Sequence, residues 1–315
     1  MEILTGFGNL TSPRGPLVAT IGNFDGLHRG HQVLFREVRA EADRRGLDAA
    51  AVTFDPHPLR VLDPAHAPKM ILTRRQKIEI LGSLGMDLIV FIPFDRDVAA
   101  VPAEEFARRF LTGRLHVACL IVGEDFRFGR NREGDARMLG RLGPECGFEV
   151  RTAKLVGSGG ARISASQLRE AIARGDVVRA AELMGRPYVL LGRVVHGAGR
   201  GRRMKIPTAN IEPENELIPA DGVYATETMV ELEWHSSLTN VGSRPTFDGA
   251  GFAIETYLPD FEGNLYNERI RVRFLERIRD EKRFESAEAL RAQIALDTKR
   301  MRELFAASRR REESP

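Results

Sequence analysis

The sequence predicts an α/β domain built on a doubly wound parallel sheet, followed by an antiparallel β domain that ends in a C-terminal helix. Three observations carry this. From Pro16 to about Gly185, short β-branched runs alternate with amphipathic stretches, the pattern of βα units around a parallel sheet. After Pro187, alternating runs follow one another with turns but no helical pattern between them, as in a barrel or sandwich. The length of 315 residues also exceeds the roughly 250–300 at which a single hydrophobic core stops growing. Two domains are therefore expected, 1–186 and 187–315, with the boundary at Arg186-Pro187.

In the first domain, compact apolar runs at 17–24, 49–54, 87–94, 117–122 and 148–153 suit strands buried on both faces. The stretch 32–45 sets Val33, Leu34, Val38 and Ala42 on one helical face, and 74–84 does the same with Ile78, Leu81 and Leu84. Gly46 and Gly85 stand where helix C-terminal glycines belong. Residues 164–186 read as one or two helices, broken at Gly175-Asp176. In the second domain the strands fall at 189–195, 223–232, 254–258 and 270–274. A terminal helix runs from Ser286 to about Phe305, with Leu290, Ile294 and Met301 on one face, and 309–315 fray.

Composition narrows the function. The 47 basic and 44 acidic side chains leave a net charge of +3, a weak field for a chain of this length, so no nucleic-acid partner is expected. Cys119 and Cys146 form no CxxC pair and no disulfide framework, which suits the cytosol. Neither a leader pattern nor an 18-residue apolar run occurs, so the expectation is a cytoplasmic protein without membrane contact. A homo-oligomer is compatible with the sequence.

The most informative string is Gly22-Asn23-Phe24-Asp25-Gly26-Leu27-His28-Arg29-Gly30-His31, at the end of the first strand and the start of the first helix. That is the ligand crevice of a doubly wound sheet. Glycines admit a phosphate close to the backbone, the helix start offers N–H groups, and two histidines can donate to phosphoryl oxygens. Neither GxxxxGK[ST] nor a Rossmann GxGxxG occurs. Zinc would need further ligands, and His57, His66 and His116 are scattered singly.

The ten-residue string matches the signature of the nucleotidylyltransferase superfamily. Its Asn-Phe-Asp-Gly-Leu-His form resembles the adenylyltransferase module of the prokaryotic bifunctional riboflavin kinase/FAD synthetases. Phe54-Asp55-Pro56-His57-Pro58, the stretch from Val122 to Gly129 and the stretch from Arg162 to Arg169 also match that family in order. The resemblance implies FMN attacking the α-phosphorus of ATP, with His28 and His31 stabilising phosphates in the transition state and Asn23 near the reacting groups. It further implies a nucleotide site of Gly22, Asn23, Phe24, Gly30, Asp125, Arg162, Ser164, Ser166 and Arg169, and a flavin slot of Phe54, Pro56, Pro58 and Phe128. Ala165 replaces a family hydroxyl residue, and Asp125 stands where asparagine is frequent.

In the second domain, Gly199-Arg200 and Ile206-Pro207-Thr208-Ala209-Asn210 resemble the ATP and Mg²⁺ elements of the riboflavin kinase module, on a six-stranded barrel. Thr208 and Asn210 supply oxygens, which suit a hard cation. Glu255 is the candidate general base toward the riboflavin 5′-hydroxyl, and Arg279 the candidate flavin-site support. Lys205-Ile206 replaces the family's usual Gly-Phe, and Tyr257 its usual histidine. The expected function is ATP-dependent conversion of riboflavin to FMN and of FMN to FAD. A chain with one surviving activity and a flavin-binding regulator without turnover are the competing readings.

Overall fold

The structure is a computed structural model that describes residues 1–6, 15–154, 162–196, 208–246 and 249–312. The chain divides by contact into two compact units, Met1–Ala165 and Ser166–Pro315. The change of texture at Arg186-Pro187 marks where the strands of the second unit begin.

The first unit holds six parallel strands: β1 Glu2–Thr5, β2 Leu17–Ile21, β3 Asp48–Phe54, β4 Leu88–Ile92, β5 Val117–Gly123 and, after the two-residue strands β6 Arg127–Phe128 and β7 Gly134–Asp135, β8 Glu149–Ala153. Their order is β1-β4-β3-β2-β5-β8. β2 and β4 are buried throughout, as continuous apolar runs should be. The edge strand β1 was not expected, because its side chains alternate between half-buried and exposed and leave no apolar run. β2 stops at Ile21, short of the expected 17–24, because the chain turns sharply from Gly22 onward. From β2 the chain winds to β3 on one side, while β5 flanks it on the other. The carboxyl end of β2 is thus the topological switch point.

Helix α1, Arg29–Arg45, follows that turn and buries Leu34, Phe35, Val38 and Ala42, with Gly46 left-handed at its end. Glu41, on the same helix, accepts from Arg44, Arg45 and Arg151, and these guanidiniums hold its carboxyl down to about 2.

The second unit opens with helices Ala165–Ala173 and Val177–Met184, broken as expected at Gly175-Asp176. Gly175 has a φ of +75°, and a Cβ there would sit 2.5 Å from the Tyr224 hydroxyl. Six antiparallel strands then close a barrel: β9 Tyr188–Val195, β10 Thr208–Pro213, β11 Gly222–Val230, β12 Glu233–Thr246, β13 Gly249–Tyr257 and β14 Arg269–Arg279, in the order β10-β13-β12-β11-β14-β9.

The strands β10 and β12 were not expected: β10 turns only Ala209 and Ile211 inward, and β12 turns Ser237 and Thr239 into a polar interior. Thr226, Thr228, Ser237, Thr239 and Thr256 are fully buried inside the barrel, where apolar side chains would have marked a strand. Their hydroxyls satisfy one another: Thr226 lies 2.8 Å from both Ser237 and Thr239, Thr228 2.8 Å from Ser237, and Thr239 bonds Thr256. The terminal helix, Ala287–Glu312, packs Ile294, Met301, Leu304 and Phe305 against Val223, Ala225, Leu238 and Tyr257 on the outer face. It continues past Arg309, where fraying was expected.

Candidate active sites

The first site is built on the turn between β2 and α1. The Gly22 N–H donates to the Val52 carbonyl at 3.0 Å, the last rung before the turn. Phe24 (φ 46°), Gly26 (79°) and Leu27 (44°) are left-handed. For residues with a Cβ this costs roughly 1–2 kcal/mol each, offset here by burial of the Phe24 and Leu27 side chains, 3% and 0% exposed. A Cβ on Gly22 would lie 2.9 Å from the Phe24 ring, so any larger residue there forces that buried ring to move. Asp25, 2% exposed, anchors the turn by accepting from Ile71 N at 3.1 Å and Leu72 N at 3.3 Å.

This framework positions the two histidines. His28 is the N-cap of α1, and its Nδ1 accepts from the His31 backbone N–H at 3.3 Å. The two rings stack with centroids 3.7 Å apart and planes 16° from parallel. Phe24 meets His31 edge-on at 5.4 Å and Phe35 at 4.8 Å. Gly30 is buried in the first turn. Among the described residues, His31 Nδ1 is buried without a hydrogen-bond partner. Burial, then the neighbouring His28 and Lys77, holds His31 well below the ordinary histidine range, so it is a neutral donor or acceptor and not a standing cation.

Asn23 is exposed, and its amide lies 3.3 Å from His57 Nε2. The Asn23 carbonyl accepts from Lys77 Nζ at 2.8 Å and Thr53 Oγ1 at 3.2 Å. Phe54, half-buried at the end of β3, meets Phe94 edge-on at 5.5 Å, and is followed by exposed Pro56 and half-buried Pro58. These leave apolar surface beside Asn23. Phe128, by contrast, is 7% exposed and belongs to the core, where it contacts Phe106, while the half-buried Phe126 stacks on it at 5.6 Å. Arg162 and Asp125, both exposed, form an ion pair. Ser164 is half-buried just ahead of helix Ala165–Ala173, and Ser166 and Arg169 lie on that helix, in the second unit.

Sequence reasoning missed Lys77 and the anchoring role of Asp25. The signal for Lys77 was available, because it lies four residues before Leu81 and so on the apolar face of its helix.

The second site lies on the outer face of the barrel. Glu255 of β13 pairs with Asn210 of β10 on one side and Asn240 of β12 on the other. Its neighbours Ile254 and Thr256 are buried in the interior, so Glu255 points outward and is half-buried with both asparagines. Thr208 shares the outer face with Asn210, two residues before it and opposite Tyr257. Asn240 Nδ2 lies 3.4 Å from Glu281 Oε1, and Gly242 leaves room for that carboxylate, since a Cβ would come within 2.7 Å of it. Thr208 and Asn210 together present hydroxyl and amide oxygens, a donor set that fits Mg²⁺. Among the described residues, Glu41, Cys119 and Glu149 also bring ligand-type atoms together, but both carboxylates are paired with Arg44, Arg45 and Arg151. Gly199 and Arg200 lie outside the described residues.

Arg279 is held by the terminal helix. Its Nε lies 3.0 and 3.2 Å from the two Asp297 oxygens and Nη2 2.8 Å from Oδ2, with Asp297 only 3% exposed and also accepting from Gln293. The guanidinium ties β14 to the terminal helix. Asp297→Ala leaves that buried charge unpaired, at about 3–5 kcal/mol. Thermal unfolding of the variant should show the barrel transition lowered and the first unit's transition in place.

Comparisons with known proteins match a different family along each half of the chain. The FAD synthetase family model matches residues 11–167, and the riboflavin kinase family model residues 184–305. The bifunctional riboflavin kinase/FMN adenylyltransferase of Escherichia coli strain K12 is 38% identical over 307 residues, covering 97% of this chain and 98% of its own. That of Pseudomonas fluorescens is 38% identical over 312 residues, covering 99% and 100%. A crystal structure described as a macrolide-efflux protein from Streptococcus pneumoniae superposes with a TM-score of 0.89 at 30% identity, over 96% of this chain and 99% of that one. Among the described residues, no helix of this chain is long and apolar enough to cross a membrane. With two family models in succession and relatives matched nearly end to end, the chain belongs to the bifunctional riboflavin kinase/FMN adenylyltransferase family.

Proposed function

We propose that the chain converts riboflavin to FMN in residues 187–315 and FMN to FAD in residues 1–186, each step consuming ATP. The observation that carries the first assignment is the stacked His28–His31 pair on the first turn of α1, at the switch point of a parallel sheet. An FMN phosphate oxygen attacks the α-phosphorus of ATP, the bond to the bridging oxygen breaks, and pyrophosphate leaves. Positioning and charge stabilisation are the protein's whole contribution. His28 and His31 donate to the α and β phosphates, Gly22, Asn23, Phe24 and Gly30 shape the turn, and Phe54, Pro56 and Pro58 offer flat apolar surface to the isoalloxazine. Asp125, Arg162, Ser164, Ser166 and Arg169 are assigned to the nucleotide, with Phe126 as the more accessible ring beside Phe128.

In the barrel, the riboflavin 5′-hydroxyl attacks the γ-phosphorus of ATP, its proton passes to the Glu255 carboxylate, and ADP leaves. Asn210 and Asn240 flank that carboxylate in register. Thr208 and Asn210 would hold Mg²⁺, which would offset the charge of the phosphates. Arg279 supports this site through the terminal helix, and Gly199 and Arg200 are assigned to ATP from the sequence.

Incubation with riboflavin, ATP and Mg²⁺, and separately with FMN, followed by chromatographic separation of the flavins, tests both assignments. FMN then FAD from riboflavin, and FAD from FMN, is the expected result. FMN alone would reject the first site, FAD only from supplied FMN would reject the second, and flavin binding without turnover would reject both.

A further inference from the structure

Lys77 is 5% exposed, on helix Arg74–Ser83. Its ammonium carries three donors, and the one acceptor it meets among the described residues is the Asn23 carbonyl, at 2.8 Å. Two carboxylates attract it, Asp25 and Asp55, yet each is engaged elsewhere: Asp25 by the Ile71 and Leu72 amides, and Asp55 by Arg74 at 2.8 Å. Arg74 also repels it. A buried ammonium with one hydrogen bond is expensive, and an apolar side chain of similar length would stabilise the fold as well or better. The position behind the turn of Asn23 and the stacked histidines gives the charge a use.

We propose that Lys77 is a positioning residue for adenylyl transfer: it holds the Asn23 carbonyl from behind the turn and supplies a buried positive charge that the arriving polyphosphate neutralises. The inference rests on the adenylyl-transfer reading of residues 1–186. The charge acts on polyphosphate affinity and on His31. The charged or titratable groups acting on His31 are His28, stacked on it, and Lys77, and both oppose a proton there. Removing the lysine charge relieves part of that opposition, so His31 then protonates at a higher pH. Anionic polyphosphate, conversely, binds less tightly without it.

The test is the pH dependence of FAD formation from FMN and ATP in the full chain, for the parent, Lys77→Met and Lys77→Arg, with FMN formation from riboflavin measured in the same samples. For K77M the expected results are an ATP KM raised about tenfold, a loss of one charge–phosphate interaction, and an acid limb of the kcat/KM profile moved up by about half a pH unit. K77R should recover much of both, and FMN formation should stay at the parent rate. A K77M chain with lowered kcat for FAD formation but ATP KM and acid limb unmoved would show a purely structural lysine and overturn the proposal. Parent-like K77M kinetics would overturn it as well. Should K77M lose the first unit's thermal transition, Lys77→Gln, which keeps a donor to Asn23 without the charge, decides on the same two readouts. A parent chain that makes no FAD from FMN rejects the adenylyl-transfer reading itself, which separates that failure from failure of Lys77 alone.

Discussion

Replacing His28 and His31 together by alanine removes FAD formation from FMN and ATP and leaves FMN formation from riboflavin running. The magnitude follows from the geometry. Each preorganised donor aimed at charge developing in a transition state is worth about 10²–10³ in rate. The pair shares one stacked contact and one N-cap, so the double variant falls short of the product of the singles. His28 carries a second duty, since its Nδ1 caps α1, and alanine there also costs about 1 kcal/mol of stability. His28→Asn separates the two roles, because asparagine caps well but places no imidazole against a phosphate. That variant should retain the parent thermal transition and still lose most FAD formation.

The pH behaviour of His31 adds an independent check. Its folded value is depressed by burial, His28 and Lys77, so the unfolded chain binds a proton that the folded chain refuses. Stability from this residue is therefore full above the ordinary histidine value of about 6.5 and is lost as pH falls below it. Urea midpoints of the first unit at pH 7.5 and 5.5 should differ less in His31→Ala than in the parent. A polyphosphate reverses the local sign, since its negative charge favours the proton on His31.

How much of this was legible in the sequence depended on whether a position's role was set by local pattern or by distant partners. The parallel strands other than β1, the left-handed Gly46 and the break at Gly175 follow from apolar runs and turn chemistry, and the structure has them, but β8 at the sheet edge exposes Glu149, Arg151 and Thr152 where a strand buried on both faces was expected. The His28–His31 spacing placed both rings on the first turn of α1, because a helix brings residues three apart to one face. β12 escaped because its inward positions Ser237 and Thr239 are bonded hydroxyls, so polar residues occupy both faces of that part of the strand, and β10 escaped because only Ala209 and Ile211 point inward, too short an apolar pattern to stand out. The pairing of Arg279 with Asp297, eighteen residues on, was not legible, because nothing in either segment points to the other. Phe128 was a candidate for the flavin slot because nothing in its own segment says that Phe106 covers it. Pairings across the chain decide such residues, and periodicity does not report them.

The Glu255→Gln variant should lose FMN formation from riboflavin by about 10²–10⁴, the range for removing a general base, while FAD formation from supplied FMN continues at the parent rate. Glutamine keeps the volume between Asn210 and Asn240 and keeps an acceptor oxygen, so the barrel register and the outer-face packing survive. What it loses is the capacity to take the hydroxyl proton. The outward direction of Glu255 would ordinarily suit a solvated strand residue; its half-buried setting between two asparagines in register argues for a held carboxylate. Glu281 is the internal comparison. It reaches Asn240 from the segment after β14, over the space that Gly242 leaves open, and so offers a second carboxylate on the same face. Parallel rates of FMN formation for Glu255→Gln and Glu281→Gln separate the two. If Glu281→Gln shows the larger loss and Glu255→Gln runs at the parent rate, the proton goes to Glu281 and the role of Glu255 reduces to ordering Asn210. If Glu255→Gln alone collapses the rate with riboflavin KM near the parent value, the base is the residue that the three-strand register sets between the asparagines.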